Sequence, residues 1–208
     1  MAKKTLLAIE GLDGSGKATQ AKLLAKTLAQ EGIAVREVSF PDYGSDSSAL
    51  VKMYLSGQFG SDPQDVNAYA ASSFFAVDRF ASFKRDWCRD YERGIIIADR
   101  YTTSNAIHQC SKLPRQQWEP FLEWLFDFEY GKLGIPSPDL VIYLSVDPMV
   151  SQQLMTRRYS GDESKKAAAH YGWTVIRCVR DGAMRSIEDI HREIQGLLQE
   201  AILKNKEE

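Results

Sequence analysis

The sequence predicts an α/β fold in which a parallel five-stranded sheet carries helices on both faces. The first observation is a set of five short apolar segments, each rich in Val, Ile or Leu. Such near-continuous runs are typical of strands that are covered on both faces of a sheet. The second observation is that helical patterns separate these segments, which favours right-handed crossovers between parallel strands. The five predicted strands are Leu6–Ile9, Val35–Phe40, Ile95–Ala98, Leu140–Leu144 and Val175–Val179.

The helical patterns between the predicted strands differ in length. A leucine-rich pattern follows the first strand, and a long one covers Val66–Tyr91 before the third strand. A closing pattern covers Ile187–Leu203 after the fifth strand. Pro136 and Pro138 mark a tight turn before the fourth strand rather than a domain boundary. The sequence therefore predicts a single domain spanning residues 1–208.

The composition is that of a globular domain without a bias toward a charged partner. Of the 208 residues, 44% are apolar and 26% are charged, and the net charge is −2. Without a basic excess, sequence-independent binding of nucleic acid has little electrostatic support. No apolar run approaches the length of a membrane span. Three scattered cysteines and first residues without a signal-peptide core lead us to expect a cytoplasmic protein.

Residues 11–19 read as a glycine-rich phosphate-binding loop, a P-loop, between the first strand and the first helix. Strand, glycine-rich turn and helix are the context that supports this motif. Glycines let backbone N–H groups point at an anion, and the helix N-terminus and Lys17 add positive charge at the phosphates. The fold is therefore predicted to be of the P-loop NTPase type, with a nucleoside triphosphate as ligand. The residues predicted to bind this triphosphate are Gly11, Leu12, Asp13, Gly14, Ser15, Gly16, Lys17, Ala18 and Thr19.

One position of this loop departs from the usual pattern and concerns the metal. The pattern places Ser or Thr after the lysine, where its hydroxyl binds Mg²⁺, but this chain has Ala18. Asp13 is the alternative, either as a metal ligand or as an acceptor that positions the attacking phosphate. A turn-capping role for Asp13 is also open. We expect Mg²⁺ as a cofactor, with Asp13 as the candidate ligand and as a catalytic residue.

Asp99 and Arg100 directly follow an apolar strand, so both are expected at its carboxyl end. Ligands of open α/β sheets bind outside these ends. An arginine there can form bidentate contacts with an acceptor phosphate and offset charge during transfer. The alternative is a surface ion pair, which would contribute little stability. We favour a role for Arg100 in the site.

Phe75 and Arg79 are four residues apart on a predicted helix and therefore share one face. A ring and a guanidinium on one face can stack on a base and donate a hydrogen bond to its exocyclic oxygen. Aromatic residues at helical spacing are more often part of a packed core. From spacing alone the core interpretation is the stronger one.

Four separated pieces of the chain, in the right order, resemble the thymidylate kinases of bacterial type over essentially the whole length. They are the loop beginning Glu10-Gly11, the pair Phe40-Pro41, the run Phe74–Arg79 and the run Asp99–Ala106. The resemblance implies an ATP- and Mg²⁺-dependent dTMP kinase, which transfers the γ-phosphoryl group of ATP to dTMP and gives dTDP. It also implies a homodimer that packs through helices, for which the apolar faces around Ala70–Phe80 are available.

The resemblance assigns roles to particular residues. Lys17 and the loop amides would hold ATP, Arg100 would hold the phosphate of dTMP, and Phe75 and Arg79 would stack on thymine and contact its O4. The remaining residues expected to bind dTMP are Asp13, Tyr43, Ser104, Asn105 and His108. His108 is a departure, because the family often has Tyr beside the deoxyribose.

A polar segment near 155–168, basic at both ends, is expected to close over ATP as a lid. Closure would bring cations to the transferring group and exclude water. Gly14 stands where some relatives carry a loop arginine, so the catalytic cation is expected from the lid, with Arg157 and Arg158 as candidates. A solvated charge run is the alternative for Lys165 and Lys166.

Two other functions stay open from the sequence. A kinase of another nucleotide or nucleoside would carry the same loop with a different base pocket. A module that binds ATP without transferring phosphate would be consistent with Ala18. Phe75, Arg79 and Arg100 argue against such a module, because it would not need residues on the acceptor side.

Overall fold

The computed structural model describes residues 4–62, 64–146 and 172–204, and it confirms the predicted α/β fold. Five strands form one parallel sheet in the order β2-β3-β1-β4-β5. The strands of this sheet are β1 (Thr5–Gly11), β2 (Val35–Ser39), β3 (Ile95–Asp99), β4 (Leu140–Ser145) and β5 (Thr174–Arg177). β1 pairs in parallel with β3 on one side and with β4 on the other. The strand that leads into the glycine-rich loop is therefore the central one.

The helices of the described residues lie between and after these strands. They are α1 (Lys17–Gln30), α2 (Ala49–Leu55), α3 (Ala68–Ser82), α4 (Cys88–Tyr91), α5 (Thr102–Cys110), α6 (Trp118–Phe126) and α7 (Ile187–Lys204). A π-helical turn, Phe83–Trp87, joins α3 to α4, and a second one, Asp127–Lys132, follows α6. None of these helices is long and apolar enough to cross a membrane.

The long helical pattern predicted from Val66 onward is confirmed, with one irregularity. The helix begins at Ala68 because the Asn67 side chain accepts a hydrogen bond from the Ala70 N–H at 2.9 Å, which is a helix N-cap. The helical stretch then continues to Tyr91 through the π-helical turn Phe83–Trp87. The closing helix, α7, also lies where the pattern placed it.

The fifth predicted strand is wrong at its end. β5 stops at Arg177, and Val179 instead begins a small antiparallel hairpin of β6 (Val179–Arg180) and β7 (Ala183–Met184). The two residues of its turn, Asp181 and Gly182, have positive φ values of 53° and 77°. Two left-handed residues match the preferred two-residue turn of a hairpin. The Asp-Gly pair therefore ends the parallel strand earlier than its apolar run predicts.

The chain divides into two compact units. The first comprises Met1–Val38, Arg89–Asp99 and Pro138–Glu208 and holds the sheet with α1 and α7. The central strands β1, β3 and β4 are buried on both faces, as their apolar runs predict, whereas the edge strands β2 and β5 are largely exposed or half-buried. One face packs on α1 and α7 through a core that includes Leu7, Ile9, Leu24, Ile142, Ile190 and Ile194. This core fixes the start of α1, and with it the loop that precedes the helix.

The second unit comprises Ser39–Cys88 and Arg100–Ser137 and is helical. Its α3 contacts α2, α5 and α6. An aromatic cluster lies beside these helices: the Phe40 and Tyr101 rings are 5.8 Å apart, and the Phe83 and Trp87 rings are 4.7 Å apart. The Tyr101 hydroxyl donates to the Pro136 carbonyl at 2.9 Å. The contacts of Tyr101 hold the residue that follows Arg100 within the unit.

Candidate active site

The glycine-rich loop in the first unit has the backbone that a phosphate cradle requires. Gly11, Gly14 and Gly16 have φ values of 150°, 78° and 90°, which residues with side chains rarely adopt. A Cβ atom at Gly11 would lie 2.6 Å from Ser15 Oγ and 2.8 Å from the Leu144 carbonyl oxygen on β4. Gly11 is therefore required for its conformation and for the close approach of the next strand.

Lys17, the first residue of α1, is almost fully buried, with 7% of its surface exposed. Its Nζ donates a hydrogen bond to the Leu12 carbonyl at 2.9 Å, so the side chain folds back over the loop. α1 begins after Gly16 with no acidic residue in its first turn. The positive end of the helix dipole therefore lies at the loop without an acidic residue of the first turn beside it, which favours an anion there.

The candidate ligand for a metal ion is Asp13, whose side chain is exposed on the loop. Ala18 and Thr19, at the start of α1, are exposed as well. Among the described residues, no group of three His, Cys, Asp or Glu side chains is arranged to hold a metal ion. Mg²⁺ at nucleotide sites uses one or two carboxylates, with phosphate oxygens and water completing its coordination. A single exposed carboxylate on a phosphate loop fits that chemistry, so Asp13 is retained as the candidate ligand.

Arg100 lies in the second unit, where β3 ends and α5 is about to begin, and has a left-handed backbone with a φ of 68°. This conformation costs a non-glycine residue on the order of 1–2 kcal/mol. Nη1 of its half-buried guanidinium lies 3.4 Å from Ser104 Oγ and 3.4 Å from His108 Nε2. Three residues predicted for the acceptor are thus brought together at one face of α5.

Asn105, on the same helix, is buried, and its orientation is fixed by α3. Its Nδ2 donates to the Ser72 carbonyl at 3.1 Å. This hydrogen bond uses one of the two N–H groups of Nδ2 and fixes the orientation of the amide. Oδ1 is the atom of this side chain that can accept a hydrogen bond from a ligand.

Arg79 forms a buried ion pair that the sequence did not indicate. Its Nε donates to Glu129 Oε2 at 2.7 Å and its Nη2 donates to Glu129 Oε1 at 2.5 Å. Both side chains are at most 2% exposed. Burial acts to lower the pKa of the Arg79 guanidinium, but the charge and hydrogen bonds of Glu129 outweigh it, and the pKa is raised. Arg79 is therefore a permanent cation held in one orientation.

Phe75 lies one turn before Arg79 on α3 and is half-buried. The Tyr54 ring of α2 meets it edge to face, with the ring centroids 6.1 Å apart. Lys112, just after α5, donates to the Tyr54 hydroxyl at 2.6 Å and lies over the Tyr54 ring at 5.0 Å. The Tyr54 ring also contacts Phe74 at 6.2 Å, and Phe74 packs in addition on Phe59 at 5.3 Å. Both rings therefore pack on Tyr54, and Phe75 is the one that the Tyr54 ring meets edge to face.

Tyr43 is 56% exposed, in the loop that follows β2. Asp78 of α3 holds this loop: its Oδ2 accepts from the Asp42 N–H at 2.9 Å and its Oδ1 accepts from the Ser47 hydroxyl at 2.5 Å. Asp78 is nearly fully buried. The position of Tyr43 therefore depends on the same helix that carries Phe75 and Arg79.

The predicted residues are distributed between the two units. The loop Gly11–Thr19 belongs to the first unit, and the residues predicted for dTMP, apart from Asp13, belong to the second. Within the second unit the structure brings together α3 and α5, which carry all of those residues except Tyr43 and Arg100. Arg157, Arg158 and the predicted lid near 155–168 lie outside the described residues.

Three residues of the acceptor side were missed from the sequence: Asp78, Lys112 and Glu129. Glu129 carried a partial signal, because it lies between Phe128 and Tyr130 in a run of alternating aromatic and acidic residues, 126–130, and an acid buried among rings needs a partner. Lys112 carried none, since its contacts with Tyr54 and with the Val66 carbonyl join distant parts of the chain.

Comparison with known proteins points to one family. The family model for thymidylate kinase matches residues 9–197. Thymidylate kinase from Mycobacterium tuberculosis is 31% identical over 163 residues, which cover 77% of this chain and 74% of that protein. A probable thymidylate kinase from Thermococcus gammatolerans is 31% identical over 210 residues, which cover 94% of this chain and 96% of that protein.

Solved structures agree on the fold. The structure of thymidylate kinase from Candida albicans superposes with a TM-score of 0.69 at 21% identity, covering 96% of this chain and 92% of that one. Thymidylate kinase from Ehrlichia chaffeensis gives a TM-score of 0.66 at 22% identity, covering 94% of this chain and 99% of that one. At these identities the likeness supports the architecture, and the chemistry has to be argued from the residues themselves.

Proposed function

We propose that this chain, which belongs to the thymidylate kinase family, transfers the γ-phosphoryl group of ATP to dTMP and releases ADP and dTDP. The observation that carries the choice of acceptor is the fixed orientation of two buried side chains of the second unit. Ser72 fixes the orientation of the Asn105 amide, and Glu129 fixes that of the Arg79 guanidinium. The two together form a pattern that a pyrimidine base can match or mismatch.

The pattern fits thymine and opposes cytosine. Thymine presents an N3–H donor beside the O4 acceptor, whereas cytosine presents an N3 acceptor beside an amino donor. Asn105 Oδ1 would accept from N3–H. Glu129 engages Nε and Nη2 of Arg79, so Nη1 is the nitrogen that would donate to O4. With cytosine, Asn105 Oδ1 would face the N3 acceptor and Arg79 Nη1 would face the amino donor. Two acceptors in contact and two donors in contact disfavour cytosine more strongly than a lost hydrogen bond alone.

Phe75 would supply the stacking surface for the base. Its ring is half-buried and is held by the edge of the Tyr54 ring. Stacking on an aromatic side chain does not depend on the identity of the base, because every base has a π-face. Phe75 therefore adds affinity, and Asn105 and Arg79 add selectivity.

The phosphate of dTMP would be held by Arg100, with Ser104 and His108 beside it. The half-buried guanidinium can bind two phosphate oxygens in a fork. Its neighbours, at 3.4 Å each, orient it toward the acceptor. Tyr43, exposed on the loop after β2, would border the sugar and phosphate.

Transfer itself needs positioning and charge stabilisation. An oxygen of the dTMP phosphate attacks the γ-phosphorus of ATP, and the bond from that phosphorus to the bridging oxygen breaks, leaving ADP. Lys17 and the N–H groups of Gly11–Thr19 would stabilise the charge on the donor phosphates. Arg157 and Arg158 are proposed as the cations contributed by the lid near 155–168.

Mg²⁺ is proposed as the cofactor, with Asp13 as its protein contact. When bound, the ion would neutralise the charge of the β- and γ-phosphates. Ala18 cannot ligate it, and the exposed Asp13 carboxylate on the loop is a suitable oxygen donor. Asp13→Asn is expected to raise the Mg²⁺ concentration needed for half-maximal rate, and an unchanged requirement would contradict the role.

We also propose a homodimer through the outer aromatic face of α3 and α6. Tyr69 and Val77 of α3 are 39% and 38% exposed. The Tyr69 and Trp124 rings are 4.7 Å apart, and Trp124 stacks on Phe128 at 5.3 Å. A second copy of the chain would cover this apolar face. Tyr69→Glu is expected to shift the mass measured by light scattering from dimer to monomer, and a wild-type monomer would contradict the proposal.

The cytoplasm is the proposed location. The three cysteines are all free, at positions 88, 110 and 178, as is usual for a chain in a reducing compartment. In the cytoplasm the chain would bind small-molecule nucleotides, ATP and a nucleoside monophosphate.

A panel of acceptors tests the function. ADP release is measured with ATP and dTMP, dUMP, dCMP or UMP, and without an acceptor. We expect dTMP to give the highest kcat/KM and dCMP a value lower by about two orders of magnitude or more. Preference for dCMP or UMP would contradict the assignment, and ADP release that does not depend on an acceptor would favour a module without transfer.

A further inference from the structure

We infer that Glu129 is a positioning residue for base recognition, which acts through Arg79 to set the nitrogen that faces O4. This inference rests on the proposed function. It adds a residue from a segment that carries none of the predicted binding residues, the π-helical turn Asp127–Lys132 after α6.

The geometry leaves the guanidinium one orientation. Glu129 Oε1 accepts from Arg79 Nη2, and Oε2 accepts from Arg79 Nε and from the Thr102 hydroxyl at 2.8 Å. Three hydrogen bonds on one fully buried carboxylate prevent either group from rotating without breaking at least two of them. Bidentate pairs of this kind fix direction as well as distance.

Backbone hydrogen bonds of the π-helical turn also hold Glu129 in place. The Ile135 N–H donates to the Glu129 carbonyl at 3.2 Å, and the Leu133 N–H donates to the Phe128 carbonyl at 2.9 Å. Thr102, the third member of the network, is the first residue of α5 and lies two positions after Arg100. The network therefore joins the helix that reads the base to the start of the helix beside the phosphate-binding arginine.

Stability alone does not account for such a pair. The cost of removing two charges from water can exceed their attraction, and well-packed apolar residues of similar volume are often as stable or more stable. What an apolar pair cannot supply is a charged donor aimed in a fixed direction inside a buried site. A role in recognition accounts for a polar network at this position.

The test separates recognition from folding with four variants and one control. Glu129→Gln keeps the shape and removes the charge, and Thr102→Val removes only the third hydrogen bond. Arg79→Leu removes the donor to the base, and Arg79→Leu/Glu129→Leu replaces the pair by apolar side chains. Glu123→Gln, an exposed acid on α6, is the matched control. For each, kcat and KM are measured with dTMP and dCMP, together with the thermal midpoint.

We expect Glu129→Gln to raise the KM for dTMP about tenfold, since a charge-assisted hydrogen bond to the base is misdirected. The dTMP-to-dCMP ratio of kcat/KM should fall, while the KM for ATP stays within about twofold of the wild type. Thr102→Val should show the same changes at a smaller size, and Glu123→Gln should show none. The double variant should stay folded and should show the same dTMP-to-dCMP selectivity as Arg79→Leu alone, because Glu129 acts only through Arg79.

Two results would overturn the inference. One is a folded Glu129→Gln with unchanged KM and selectivity. The other is a folded double variant that has lost clearly more selectivity than Arg79→Leu. If Glu129→Gln does not fold, the double variant and Thr102→Val decide. Failure of the proposed function would look different, because the wild-type chain itself would then show no ADP release dependent on dTMP.

Discussion

Arg100 combines a strained backbone with contacts to Ser104 and His108, two other residues proposed for the acceptor. A left-handed φ of 68° persists in a residue with a side chain only when the surrounding structure enforces it, and such strain is concentrated at functional sites. Arg100→Ala and Arg100→Gly should both lower kcat/KM for dTMP by about 100-fold or more. ATP binding should stay within about twofold, since the loop belongs to the other unit.

The two substitutions differ in stability, and this difference checks the strain. Glycine tolerates a left-handed backbone and alanine does not, so Arg100→Gly should melt about 2 °C above Arg100→Ala. Arg115→Ala, at an exposed arginine, is the control for the loss of charge. Equal loss of ATP binding and of transfer would mean that Arg100 is structural.

At the residue scale the sequence is informative where chemistry follows from position along the chain. Lys17 and the glycines belong to a contiguous motif, and Arg100 directly follows an apolar strand. The pairing of Arg79 with Glu129 could not be foreseen in this way, because 50 residues separate the partners. Spacing on α3 alone favoured a packed core, and the structure gives Arg79 a buried acidic partner, which spacing cannot specify.

Contacts between elements set the shape of the acceptor side. Lys112, after α5, holds α2 through the Tyr54 hydroxyl at 2.6 Å and the start of α3 through the Val66 carbonyl at 3.3 Å. Tyr54→Phe keeps the ring against Phe75 and removes one hydrogen bond, at a cost of about 1 kcal/mol. We expect the KM for dTMP to rise a few-fold with kcat nearly unchanged, measured by steady-state kinetics. Tyr91→Phe, outside this unit, is the control. A KM for dTMP in Tyr54→Phe that equals the wild-type value would show that the hydrogen bond between Lys112 and Tyr54 does not affect dTMP binding.

A second contact between elements joins α1 to α7 in the first unit and responds to pH. His191 Nε2 lies 3.2 Å from Thr27 Oγ1, which itself donates to the Leu23 carbonyl. The side chain is 7% exposed, and burial lowers its pKa. A second contact joins the same two helices: the Gln20 side chain of α1 donates to the Ile187 carbonyl of α7 at 2.9 Å. Protonation of His191 would therefore place an uncompensated charge between the two helices.

The sign of the pH dependence follows from the lowered pKa. The unfolded chain takes up a proton near pH 6.5, roughly the ordinary value for histidine, and the folded chain resists it. The free energy of unfolding from this source is complete above that pH and is lost as the pH falls toward the folded pKa. Thermal midpoints between pH 7.5 and about 5 should fall less steeply in His191→Gln than in the wild type. Parallel slopes in the two proteins would contradict the account.

At the element scale, periodicity predicted most of the fold. The five apolar runs correspond to the five strands of the sheet, and burial on both faces accounts for the runs of the central strands β1, β3 and β4. The exceptions have local causes: Asp181-Gly182 closes a hairpin where a longer strand was predicted, and Phe83–Trp87 inserts a π-helical turn into the long helix. Neither the hairpin turn nor the π-helical turn changes the apolar pattern, so the pattern alone does not reveal these two features.

At the scale of the whole molecule, the chain divides into a unit with the glycine-rich loop and a unit with the residues proposed for the base and the acceptor phosphate. In the proposed function, Lys17 and a helix N-terminus would bind a polyphosphate, and Asn105 with Arg79 would bind thymine. Only a reaction that uses both ligands requires both units. This division is the reason to expect transfer between two nucleotides rather than hydrolysis of one.

Following the transferred group tests this account most directly. The chain is incubated with Mg²⁺, dTMP and ATP labelled at the γ-phosphate, and the nucleotides are separated by chromatography. We expect the label to appear in dTDP, and we expect this labelling to require dTMP. Label found only in inorganic phosphate, at the same rate with and without dTMP, would contradict it.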